Sequence, residues 1–148
     1  MSHATAVVLP TAKAKTRPLT SRVFEVVVEP DRVRVAQIRR ITMAFMRLWD
    51  VPAPLADDVQ LVVSELVTNA VEHGHGSVGM RIRNTGSELS IEVTDENTAP
   101  ARLRTAGDED VCGRGLFLVA VLTREWGVSD DGRTTWCTFR LPTGRPRW

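Results

Sequence analysis

The sequence predicts an α/β chain: a two-layer α/β sandwich with a mixed sheet and its helices on one face. Three observations lead there. A short β-branched run is followed by two long segments whose apolar residues recur at helical spacing. Two pairs of alternating segments come later, each pair split by turn-forming residues. Between those pairs lies one more short apolar helix.

The first strand is Phe24-Glu25-Val26-Val27-Val28, rich in residues that fit a pleated surface. Pro30-Asp31 opens a helix whose apolar positions include Val35, Ile38, Phe45 and Met46, with Arg32, Arg39 and Arg40 as its solvated face. Pro52-Ala53-Pro54 breaks the chain. A second helix is expected over residues 55–73. Asp57 and Asp58 favour the positive end of its dipole, and Gly74-His75-Gly76 ends it. Val59, Val62, Val63, Leu66, Val67 and Ala70 form one broad stripe, so this helix packs on a sheet. Strands at 78–83 and 89–94 flank the turn Asn84-Thr85-Gly86-Ser87. Residues 95–113 are polar and read as a long lid, its acidic cluster Asp108-Glu109-Asp110 solvated. A third helix is expected over 116–124. Strands near 126–129 and 135–141 close the domain through Asp130-Asp131-Gly132.

These elements define one domain over residues 22–142, between a flexible arm at 1–21 and a short tail at 143–148. The formal net charge of +1 gives no overall field toward nucleic acid or a membrane. Cys112 and Cys137 have no metal-ligand spacing. No apolar run is long enough to span a bilayer, and the first residues lack a signal-peptide pattern, so the expected location is cytoplasmic.

Three stretches carry chemistry. Glu65, Asn69 and His73 are four residues apart and line one ridge of the second helix, beside its apolar stripe. A carboxylate and an amide near a buried surface need partners. A Mg²⁺ ion shared with phosphates is one such partner. On spacing alone the ridge is equally an exposed polar stripe. Asp95 ends an alternating strand and faces a loop, where it suits either a ligand's amino group or a plain turn. Gly113-Arg114-Gly115 leads into Leu116 at a helix start. There glycine backbone, the dipole and a guanidinium suit an anion. The stretch is neither a Walker A loop nor GxGxxG.

In this order the motifs resemble the histidine-kinase-like ATPases of the GHKL superfamily, most closely their small anti-sigma-factor serine/threonine kinase branch. Glu65-Leu66-Val67-Thr68-Asn69-Ala70-Val71-Glu72-His73 resembles the N box, Val93-Thr94-Asp95 the first glycine box, and Gly113-Arg114-Gly115-Leu116 the second. The segments Trp126-Gly127-Val128 and Gly132-Arg133-Thr134-Thr135-Trp136 also resemble short members. The resemblance implies the Bergerat ATP-binding fold, with ATP and Mg²⁺ as cofactors. It implies Asn69 as metal ligand and Glu65 as base toward the attacking hydroxyl. It gives Asp95 the adenine amino group, Gly113, Arg114, Gly115 and Leu116 the phosphates, and His73 a further nucleotide contact. One departure stands out: Asn97 occupies the position where the family has glycine, and asparagine tolerates a left-handed backbone better than most residues.

Two functions follow from the resemblance. The first is a protein serine/threonine kinase that phosphorylates an anti-sigma-factor antagonist, sequesters a sigma factor, or both. The alternative is a nucleotide-gated protein-binding module with little turnover. A homodimer is the implied assembly. No nucleic-acid or membrane partner is expected, and the expected helix order lacks the phosphoacceptor helix pair of a sensor histidine kinase.

Overall fold

The computed structural model describes residues 5–9, 21–96 and 111–142, with side chains at 21–96 and 116–142. Residues 97–110 of the expected lid, Asn97 among them, and the C-terminal tail lie outside the described residues, as does most of the N-terminal arm.

The described elements run β1 (Thr5–Leu9), β2 (Arg22–Val28), α1 (Arg32–Leu48), α2 (Ala53–His73), β3 (Val78–Asn84), β4 (Glu88–Thr94), α3 (Val111–Leu122), β5 (Glu125–Val128) and β6 (Thr134–Arg140). The strands form one six-stranded sheet in the order β1-β2-β3-β4-β6-β5. The two-layer architecture is the expected one, with α2 packed between α1 and α3 and lying over β3 and β4.

Three expectations are corrected. Residues 5–9, assigned to a flexible arm, form the edge strand β1, paired with β2. Their small and β-branched residues suit a strand, but a five-residue strand carries too little pattern to stand out beside a Pro-interrupted stretch. The sheet is not mixed: each pairing is antiparallel. Two helices, not one, separate β2 from β3, so the chain reverses three times and returns antiparallel. The β4–α3–β5 crossover does bring β5 back in the direction of β4, but β6 inserts between them and pairs antiparallel with both. Third, α3 begins at Val111 rather than 116, so the two glycines stand inside its first turns.

Register shows how the layers separate. Phe24, Val26 and Val28 stand opposite Ile82, Met80 and Val78 on one face. Ile91 and Val93 extend that face over β4, and Cys137 and Phe139 over β6. All of these are buried, and the stripe Val59, Val62, Val63, Leu66 and Val67 of α2 covers them. Each such side chain contributes about 1.5–3 kcal/mol by leaving water. Phe45 of α1 stacks on Phe24 with ring centroids 4.2 Å apart, and Trp49 tilts against Phe45 at 5.5 Å.

The turn between α1 and α2 explains why these two long helices lie side by side. Asp31 caps α1, its carboxylate accepting from Val33 N–H at 3.1 Å. At the other end Asp50 takes φ 56°. Val51 N–H donates to the Met46 carbonyl at 2.9 Å and Asp50 N–H to Arg47 at 3.1 Å, a Schellman closure with aspartate in the usual glycine place. Pro52 then precedes α2, and Pro54 sits where a missing N–H costs nothing.

The second face of the sheet is partly solvated around β2, β3 and β4. Arg81 pairs with Glu25 through Nε and Nη2, each 2.6 Å from Oε2, and stands opposite Glu92. A shallow recess of about 260 Å³ lies there beside Gly79. An antiparallel sheet accommodates such a solvated face.

Candidate functional site

The polar ridge of α2 follows from its helical period. With Val62, Leu66 and Val67 turned into the core, Glu65 and Asn69 fall at the margin of the stripe and are half-buried, while His73 is exposed. Among the described residues, neither the Glu65 carboxylate nor the Asn69 amide is engaged in a hydrogen bond or ion pair. At the last turn Glu72 bridges two neighbours. Its Oε2 accepts from Arg32 Nη2 at 2.6 Å, and its Oε1 lies 3.8 Å from His73 Nε2. The start of α1 is thereby tied to the end of α2.

Asp95 arrives at this end of α2 from the sheet. β4 stops at Thr94, and Asp95 N–H donates to the Arg133 carbonyl at 3.0 Å. The next residue, Glu96, donates its N–H to the His75 carbonyl at 2.8 Å. The Asp95 carboxylate packs against Gly74, so that a methyl group built there would lie 2.6 Å from its carboxyl carbon and Oδ2. The Glu96 carboxylate packs likewise on Gly76, whose φ of 74° suits glycine. Gly74 closes α2 by donating its N–H to the Ala70 carbonyl at 2.9 Å.

The β5–β6 turn supplies the third support. Asp131 Oδ1 accepts from Ser129 Oγ at 2.7 Å and from Arg133 N–H at 3.0 Å. These two bonds, the first the larger cause, hold the Asp131 carboxyl below the usual carboxylate range. They also fix the backbone of Arg133, whose carbonyl receives the Asp95 N–H. Two residues on, Thr135 is half-buried on the helix-facing side, opposite Val93.

The structure therefore joins Asp95 to the C-terminal end of the ridge that carries Glu65, Asn69 and His73. The third stretch approaches through α3, which packs against α2. The described part of α3 begins at Val111, so Gly113, Arg114 and Gly115 lie in the N-terminal part of this helix rather than ahead of it, on the side where the helix dipole is positive. Leu116 turns its side chain into the core, 2% exposed, so its side chain is a packing group.

Sequence reasoning treated Gly74 and Gly76 only as a helix stop and gave Arg133 no place beside Asp95. The two glycines flanking His75 were the visible signal, but nothing local says which carboxylate lies over which glycine.

A family model for the histidine kinase-like ATPase domain matches residues 28–140, which spans the ridge, Asp95 and α3. The chain belongs to that family, and its fold is that of a nucleotide-binding, ATPase-type domain. A search of curated proteins returns no match. No helix among the described residues is long and apolar enough to cross a membrane.

Proposed function

We propose that this protein is an ATP-dependent regulatory serine/threonine kinase of the anti-sigma-factor type. In this reading it phosphorylates an antagonist protein, sequesters a sigma factor, or does both. The observation that carries the reading is the meeting of Asp95 with the end of the Glu65–Asn69–His73 ridge, within a chain that belongs to the histidine kinase-like ATPases.

The chemistry of the donor set fits a nucleotide that brings its own cation. No group of three His, Cys, Asp or Glu side chains among the described residues forms an all-protein metal cage. A single amide oxygen from Asn69, beside the Glu65 carboxylate, suits Mg²⁺ that keeps waters and phosphate oxygens as its other ligands. Bound Mg²⁺ supplies charge neutralisation on the triphosphate.

The chain's own residues do the rest. Asp95 accepts a hydrogen bond from the exocyclic amino group of adenine. Backbone N–H groups at the start of α3 face the phosphates. Glu65 takes the proton of the acceptor serine or threonine as its oxygen bonds to the γ-phosphorus and the bond to the departing ADP oxygen breaks. His73, held near Glu72, adds a polar contact at the end of the ridge.

Incubation with labelled ATP and candidate antagonist proteins tests the kinase. Wild type should transfer label to serine or threonine, and Glu65→Ala should lose transfer by about 100-fold or more while still binding nucleotide. Transfer that survives Glu65→Ala unchanged would refute the assignment of the base. Asn97, in place of a glycine, favours a second reading: a nucleotide-gated binding module with little turnover. In that case a regulatory protein co-purifies from the native host under ATP, and no label is transferred.

A further inference from the structure

We propose that Gly74 is a specificity-determining positioning residue: its missing side chain is the space in which the Asp95 carboxylate lies. On this view Gly74 sets how strongly the site prefers a 6-amino purine. The inference rests on the proposed reading of Asp95 and deepens it.

Glycine at a helix end is usually explained by backbone freedom. That explanation fails at Gly74. Its φ of −92° and ψ of −168° are extended values that any residue adopts. What excludes a side chain is space: a methyl group there would sit 2.6 Å from the carboxyl carbon and Oδ2 of Asp95, and 2.5 Å from the Ala70 carbonyl oxygen. Gly76 differs in one respect: a methyl group there would likewise meet a carboxylate, that of Glu96, but its positive φ adds a backbone demand that Gly74 lacks.

The Asp95 carboxylate has little room to give way. Its side chain has only two torsions. Its own N–H is held by Arg133, and the next N–H is held by His75, at 3.0 and 2.8 Å. With the main chain pinned on both sides, a methyl group at 74 must rotate the carboxylate away from its place at the end of the ridge. Gly74 acts through Asp95 and touches no reacting atom.

The test is a ratio. Calorimetry with Mg²⁺ measures affinity for ATP and for inosine triphosphate, which carries an oxygen in place of the 6-amino group. Wild type should prefer ATP by about tenfold or more, the expected worth of a hydrogen bond to a charged acceptor. Gly74→Ala should lower that preference by about fivefold or more. Fraying of the last helical turn, through the Ala70 carbonyl, weakens both nucleotides alike and leaves the ratio alone. An unchanged ratio overturns the role of Gly74 while the reading of Asp95 stands. No ATP preference in wild type overturns the reading of Asp95 and this proposal with it.

If Gly74→Ala does not fold, thermal unfolding of Gly74→Ala/Asp95→Ala decides. A double variant that folds, or melts above the single variant, shows that the carboxylate is the obstacle. A double variant no better than the single one shows that the Ala70 carbonyl excludes the side chain, and the proposal is wrong.

Discussion

The two ends of β4 are built in opposite ways. It starts at Glu88, after a turn held mainly by its own neighbours, with one distant bond from Leu141 N–H to the Ser87 carbonyl. There Gly86 N–H donates to Asn84 Oδ1 at 2.8 Å, Thr85 Oγ1 to the Glu88 carbonyl at 3.3 Å, and Thr85 N–H to that same carbonyl at 3.0 Å. It runs out at Thr94 into Asp95 and Glu96, whose N–H groups reach Arg133 and His75, while the Asp95 carboxylate packs on Gly74. One end closes a hairpin. The other ties the end of α2 and the β5–β6 turn around a carboxylate. The lesson is that local chemistry suffices to shape a turn, whereas a site needs the fold.

Four experiments sharpen or break this contrast. The largest effect is expected from Asp95→Asn, which should cost about 1.5–3 kcal/mol of ATP binding by calorimetry. Asn84→Ala, at the other end, should leave nucleotide affinity alone. If both weaken ATP equally, the two ends are not functionally distinct.

Next comes Cys137, on the strand that borders β4 along its length. Burial pushes its thiol from an ordinary 9.0 up to about 12. The folded value lies above the unfolded one, so this contribution to stability is intact below pH 9.0 and is lost as the pH rises toward about 12. Urea melts of wild type should fall across that window, and those of Cys137→Ala should fall less. Alkylation of Cys137 at neutral pH should require unfolding, and Asp95→Asn should leave it equally protected. Labelling of the folded variant would mean that the site end and the sheet cannot be separated.

Third, Gly76→Ala and Gly86→Ala both force a left-handed backbone on alanine, at φ values of 74° and 94°, and each should cost about 1–2 kcal/mol in denaturant melts. A side chain at Gly86 meets nothing within 4 Å, while one at Gly76 meets Glu96. Only Gly76→Ala should therefore alter ATP affinity.

The smallest effect belongs to Asp131, which is fully exposed. Its carboxyl titrates below the usual value, so its support for the turn is present above pH 3.8 and disappears as the pH falls through the lowered value. Wild type and Asp131→Ala should differ slightly in thermal stability at neutral pH and converge in acid.

The elements on both sides of this site were legible before any coordinates. The apolar stripe from Val59 to Ala70 has the helical period and is the buried face of α2. Alternation in β3 and β4 and the turn residues Asn84 and Gly86 specify the hairpin. The Glu65–Asn69–His73 spacing put three polar groups on one ridge. The start of α3 is not legible in the same way: two glycines close together look like a loop, yet they fall within a helix that packs on α2.

By itself the sequence determined which residues face the core, where most chain reversals fall, and which polar groups share a helix face. Each of these depends on neighbours within a few residues, and periodicity records them directly. Only the tertiary structure decided that β6 inserts between β4 and β5, that residues 5–9 add an edge strand, and that the Asp95 carboxylate lies against Gly74. The physical reason is that these contacts join segments distant along the chain. Their partners are chosen by which buried faces can be covered together, a condition on the whole molecule that no short window of residues contains.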